Sequence, residues 1–202
     1  MGAGDMGLLR PWVYDRGGLN TQLMLGINRS MSAEWRDVAR LLSALGSYWG
    51  APVMGLLLLG WRTVKRSEPT ALAPFCFGVG VLVAMLLAWT AKSAFALPRP
   101  SDLYANVMAW VLVEPDSLYG FPSGHAVYIA VVVTCLWSLG PWPFRLLLLA
   151  VAAAVGWSRV ALGAHFPADV VAGYLLGGAC VTATRGWAVS LKRVADERLA
   201  TR

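Results

Sequence analysis

The sequence predicts an all-α, polytopic membrane helix bundle, and three observations carry that expectation. Apolar residues make up 57% of the 202 residues and charged residues only 14%, against roughly 25% charged in an ordinary soluble domain. Charge-free stretches recur along the chain, as expected where a hydrocarbon core makes charge costly. The breaks between them are marked by proline, glycine or basic residues. Mean hydropathy is +0.58, and no shift in composition marks a second domain, so residues 1–202 are expected to form one integral-membrane unit.

Five spans are expected within a core over residues 41–185. Leu41 to Trp61 is uncharged and stops at Arg62, Lys65 and Arg66, and Thr70 to Ala91 runs uncharged into Lys92. Ala126 to Phe144 follows His125, Leu146 to Ser158 ends at Arg159, and Val170 to Thr184 lies between Asp169 and Arg185. Pro141 and Pro143 punctuate a hairpin over Gly140 to Arg145. Gly173, Gly177 and Gly178 are expected to let helices approach closely. Cys76, Cys135 and Cys180 sit in apolar runs without ligand-like spacing and read as buried hydrophobes.

Residues 1–40 break the pattern. Asp15, Arg16, Arg29, Glu34, Arg36, Asp37 and Arg40 interrupt them and leave Leu19 to Asn28 too short to cross, so an interfacial or re-entrant helix is expected there. The five arginines from Arg10 to Arg40 favour the cytoplasm, whereas five alternating spans put this segment outside; a sixth, irregular crossing would reconcile the two. The N-terminus carries no evident cleavable signal peptide.

Alternation of five helices puts Arg62, Lys65, Arg66, Arg145, Arg185, Lys192, Arg193, Arg198 and Arg202 on one side, which the excess of basic residues makes cytoplasmic. Residues 186–202 then form a basic cytoplasmic tail. The opposite, outer face receives three polar clusters: Lys92-x6-Arg99-Pro100, Phe121-Pro122-Ser123-Gly124-His125, and Ser158-Arg159-x5-His165-x3-Asp169. They contain both histidines of the chain.

The residue types in these clusters point to chemistry on a multiply charged anion. Lys92, Arg99 and Arg159 brought to one place would repel each other in poorly hydrated surroundings unless an anion joined them, and guanidinium forks match phosphate oxygens in a bidentate manner. Snorkelling explains one such cation but not the trio. Pro122 and Pro167 stand near helix starts, so backbone N–H groups around Ser123 and Gly124 offer an oxyanion site, with Ser123 doubling as an N-cap. His165 stands four residues before Asp169, whose carboxylate can fix the imidazole tautomer and leave the other nitrogen to attack phosphorus. His125 would protonate the departing oxygen and later activate water. Three nearby cations speak against a metal among His125, His165 and Asp169. Pro-Ser-Gly-His lacks a nucleophile elbow for a serine hydrolase.

In this order the three clusters resemble the full three-part signature of the type 2 phosphatidic acid phosphatase superfamily, which also contains vanadium haloperoxidases. The motif-bearing region covers about residues 70 to 185. The resemblance implies an all-helical core and metal-independent hydrolysis without cofactor. It also implies phosphate binding by Lys92, Arg99, Ser123, Gly124 and Arg159, acid and base catalysis by His125, and a nucleophilic His165 partnered by Asp169.

A lipid phosphate in the bilayer is the expected partner, with no nucleic acid, and nothing in the sequence sets an oligomeric state. The short chain is similar to bacterial undecaprenyl-diphosphate phosphatases of the bacitracin-resistance type, although Gly124 stands where an aspartate is common in them. That similarity implies a bacterial plasma-membrane enzyme of cell-wall biogenesis with a catalytic pocket at the outer face. Phosphatidylglycerophosphate, phosphatidic acid and lipid A phosphatases share the motif and are alternatives. So are a vanadate-dependent peroxidase, which the apolar spans oppose, and a non-catalytic phosphate-lipid binder or transporter, which would not need His165 paired with Asp169. The apolar run Val107 to Val113 between Asp102 and Glu114, within residues 101–120, reads equally as an interfacial lid or a membrane-hugging loop.

Overall fold

The computed structural model describes residues 17–65, 68–111 and 117–200. Asp15, Arg16, Arg66, Glu114 and Arg202 fall outside the described residues, as do Arg10, Val113 and the end of the 107–113 run. All regular elements among the described residues are helical: α1 Leu19–Ser30, α2 Ala33–Leu45, α3 Ala51–Val64, α4 Glu68–Phe95, α5 Pro100–Tyr104, α6 Gly124–Leu136, α7 Trp142–Ala161 and α8 Pro167–Ala200. Short 3-10 turns at Tyr48–Gly50 and Ala105–Val107 complete them.

At the centre stands α6, packed against α4, α7 and α8. Every residue from His125 to Val133 is buried. This helix has 13 residues, about 20 Å at 1.5 Å per residue, which is shorter than a hydrocarbon core of ~30 Å. The expected third span, Ala126 to Phe144, is helical only as far as Leu136, and the chain turns at 137–141 before Pro143 in the first turn of α7. The carbonyls near the end of α6 accept from arginines: Arg145 Nε donates to Trp137 O at 3.0 Å and Arg185 Nη2 to Cys135 O at 3.4 Å.

The first expected span is not one straight helix either. Gly46 caps α2, and the pair Ala33–Leu45 and Tyr48–Val64 is bent by 47°. Among the described residues two stretches are long and apolar enough to cross a membrane, Ala71–Val107, which begins in α4, and Trp142–Ala161, or three if the bent pair is one span. The fifth expected span, Val170 to Thr184, is the first half of α8. That helix continues past Arg185 for 34 residues in all, about 51 Å, so the basic tail is its helical extension as far as Ala200.

Glycine lets α8 lie directly on α6. A Cβ at Gly173 would come within 2.7 Å of Ser123 O and 2.8 Å of Ala126 Cβ, and one at Gly177 would overlap Val127 O. Gly178 faces Thr134 Oγ1 at an ordinary 3.6 Å, so only the first two serve the close approach expected of all three. Cys76, Cys135 and Cys180 are free thiols buried in this helical core.

In α1 the buried face carries polar residues beside Met24: Thr21, Met24 and Asn28 are buried while Leu19 and Leu23 are exposed. Asn28 Nδ2 donates to Trp110 O and Ala161 O, both at 2.8 Å, and its Oδ1 accepts from Ala109 N at 2.9 Å and Trp110 N at 3.3 Å. One side chain thus ties the 105–111 segment to the end of α7. Trp110 Nε1 donates to Met31 O at 2.7 Å, with Arg36 stacked over its ring.

Candidate active site

Each polar cluster lies at a helix end, and the fold brings these ends together. Lys92 is in the last turn of α4 and Arg99 precedes α5. Ser123 caps α6, while Arg159 ends α7 and His165 and Asp169 flank the start of α8. A cavity of about 140 Å³ is lined by Lys92, Arg99, Gly124, His125 and His165. Tyr48, Met85, Ala88, Trp89 and Ser117 complete the wall. Ser123, Arg159 and Asp169 are buried but are not among the lining residues.

Arg99 knits the clusters together. Its Nε donates to Ser117 O at 2.8 Å, Nη2 to Ser117 Oγ at 3.0 Å, and Nη1 to Ala164 O, next to His165, at 2.9 Å. Its own backbone N–H donates to Asp102 Oδ2 at 2.8 Å. Asp102 therefore anchors the start of α5 and of the 101–120 connection. Lys92 Nζ donates to Tyr119 O at 2.8 Å, and Arg159 Nη1 donates to Ser43 Oγ at 2.6 Å. Arg159 O accepts from the amides of Ala164 and His165.

The histidine and carboxylate geometry refines the expectation. Asp169 Oδ2 stands 3.5 Å from His165 Nδ1 but accepts from Phe166 N at 2.9 Å. Nδ1 makes no hydrogen bond among the described residues. The carboxylate thus caps the 165–169 turn and faces the imidazole at ion-pair distance, longer than a hydrogen bond. The expected oxyanion group is also narrowed. Ser123 N donates to Asp169 O at 3.0 Å and Ser123 Oγ accepts from Ala126 N at 3.4 Å, which leaves Gly124, first residue of α6 and on the cavity wall, as the amide of that pair to face an anion.

Complete burial, then the charges of Arg159, Arg99, Lys92 and His125, hold the His165 imidazole well below its ordinary pKa of 6.5. A neutral ring among cations has an available lone pair and gains when an anion enters. Sequence reasoning missed Ser117, Tyr119, Ser43 and Tyr48. The first two sit in an irregular connection with no periodicity, and the others lie in a stretch that reads as an ordinary apolar span.

Residues 73–193 match the PAP2 superfamily. The chain belongs to that family. It is 33% identical over 163 residues to an undecaprenyl-diphosphatase of Sulfolobus acidocaldarius, a match covering 79% of this chain and 74% of that one. It is 28% identical over 156 residues to a lipid A 1-phosphatase of Rhizobium etli, covering 71% and 67%. In fold it is similar to a PAP2-type phosphatidylglycerolphosphate phosphatase from Bacillus subtilis, with a TM-score of 0.67 at 23% identity over 86% of each chain. This PAP2 chain is a membrane lipid phosphatase. Both of its histidines and all three of its motif cations lie inside the matched region, and α1, α2 and α3 precede it.

Proposed function

We propose that this PAP2 enzyme hydrolyses a lipid diphosphate, undecaprenyl diphosphate, through a phosphohistidine. The observation that carries the reading is the convergence of three sequence-distant clusters on one small cavity holding both histidines, Lys92, Arg99 and the first amide of α6. The match to an undecaprenyl-diphosphatase supports the substrate. The cavity of about 140 Å³ takes a terminal phosphoryl group but not a whole lipid, so the chain leaves it past the exposed Trp89 at its rim.

In the proposed mechanism Lys92, Arg99, Ser123, Gly124 and Arg159 hold the phosphoryl oxygens and offset the charge that builds on them. His165 Nε2 attacks phosphorus as the bond to the bridging oxygen breaks. His125 gives its proton to that oxygen, and lipid monophosphate leaves. Water then attacks the phosphohistidine, His125 takes its proton, and inorganic phosphate is released with His165 restored. Asp169 orients His165 and stabilises its positive charge in the intermediate. The reaction uses no metal.

The end of α3 carries Arg62 and Lys65, and the start of α7 and far half of α8 carry Arg145, Lys192, Arg193 and Arg198. By the positive-inside rule these face the cytoplasm of a bacterial plasma membrane and the cavity opens outward. The bent α2–α3 pair, α4, α6, α7 and α8 serve as the crossings, with α6 enclosed by the others.

Phosphate release from undecaprenyl diphosphate, phosphatidylglycerophosphate, phosphatidic acid and a lipid A phosphate, at matched detergent mole fraction, tests the reading. Undecaprenyl diphosphate is expected to be preferred. Release is lost in His165→Ala and kept in Arg198→Ala. Equal release by the His165 variant rejects the mechanism, and a binder or transporter would hold the lipid phosphate without cleaving it.

A further inference from the structure

Resting on that reading, we propose that Ser43 is a positioning residue that sets the plane of the Arg159 guanidinium, and that the 43–48 segment is a wall of the active site. Three observations meet in this segment, which precedes the matched residues 73–193. Arg159 Nη1 donates to Ser43 Oγ at 2.6 Å across 116 residues of sequence, and both side chains are buried, 3% and 6% exposed. Gly46, at the bend, lies so close to the catalytic layer that a Cβ there would come 2.5 Å from Val155 Cγ1 and 3.3 Å from His125 Cβ. Tyr48, two residues on, lines the cavity.

The physical argument concerns the shape of arginine. A guanidinium is a rigid plane whose donors recognise phosphate only when they lie in the plane of its oxygens. One short hydrogen bond to a hydroxyl on a neighbouring helix fixes rotation about the end of the side chain and so directs the remaining donors. Ser43 is buried against α7 by the packing of α2 on that helix, so the orientation is set before an anion arrives. The 47° bend follows the same geometry, because α2 must reach Arg159 while the chain passes His125 at Gly46 and presents Tyr48 to the cavity.

The test measures orthophosphate affinity by calorimetry on the detergent-solubilised full chain, beside KM and kcat for the preferred lipid phosphate. Ser43→Ala is expected to weaken orthophosphate by about tenfold, the low end for a hydrogen bond to a charged group. KM should rise by a similar factor while kcat changes less. Ser43→Cys, which keeps the volume and loses the strong acceptor, should follow Ala even if Ala folds poorly. Ser43→Thr, which keeps the hydroxyl, should restore both affinity and KM. Orthophosphate affinities within about twofold of wild type in the Ala and Cys variants overturn the proposal, as does a Thr variant as weak as Ala. Wild-type protein that neither binds orthophosphate nor releases it fails the phosphatase reading itself, an outcome distinct from intact wild-type binding that ignores Ser43.

Discussion

Arg99→Lys separates a structural fork from a point charge. Arg99 is only 2% exposed and spends all three of its guanidinium nitrogens on Ser117 O, Ser117 Oγ and Ala164 O. Lysine keeps the charge but offers a single ammonium, which can satisfy one of these directions. Two charge-assisted hydrogen bonds are then lost, and at the low end of ~1.5 kcal/mol each the cost is about 3 kcal/mol. For a chain of this size that lowers Tm by about 6–12 °C. Thermal unfolding of the solubilised protein, followed through intrinsic tryptophan fluorescence, reads the change. kcat/KM should fall in parallel, because Ala164 adjoins His165 and Ser117 lines the cavity. A Tm within about 2 °C of wild type would refute the reasoning and leave Arg99 as a replaceable charge.

The pH dependence follows from His165. As the proposed nucleophile it attacks only when unprotonated, and burial with the cations of Arg159, Arg99 and Lys92 lowers its pKa, so the acid limb of kcat/KM is expected below pH 6.5; a limb above that value contradicts the assignment. Asn28→Ala leaves the backbone groups of Ala109, Trp110 and Ala161 without their buried partner and should cost about 3 kcal/mol, seen as a lower Tm and faster proteolysis of the 105–111 segment. Gly177→Leu forces side-chain atoms into Val127 O and should destabilise by about 2–3 kcal/mol, with the Gly178 equivalent milder in the same melt. Activity should survive exhaustive EDTA treatment, and loss reversed by a divalent cation would overturn the metal-free mechanism.

The candidate site was legible in the sequence because it is built from side chains too costly to place idly in an apolar chain. Lys92, Arg99, His125, Arg159, His165 and Asp169 were all named from charge and spacing, and the fold gathers them. Charge alone could not tell a helix facing lipid from one enclosed by protein, so the burial of α6 against α4, α7 and α8 was not legible. Helix breaks at Gly46 and the continuation of α8 past Arg185 depend on tertiary packing, which overrides local composition. Neutral polar residues were the other blind spot. Ser43, Asn28 and Ser117 act through hydrogen bonds to distant groups, and no local pattern announces such a bond.

Because α6 is buried from His125 to Val133, it cannot shift without opening the protein's interior. The imidazole it carries is therefore fixed, and any accommodation of bulkier or differently charged headgroups must fall to the rim: the end of α4 with Trp89, the connection around Ser117, and the turn at Tyr48. New preferences can then arise by rewriting that rim while α6 and its histidine stay unchanged, one way for a single scaffold to serve several membrane lipids.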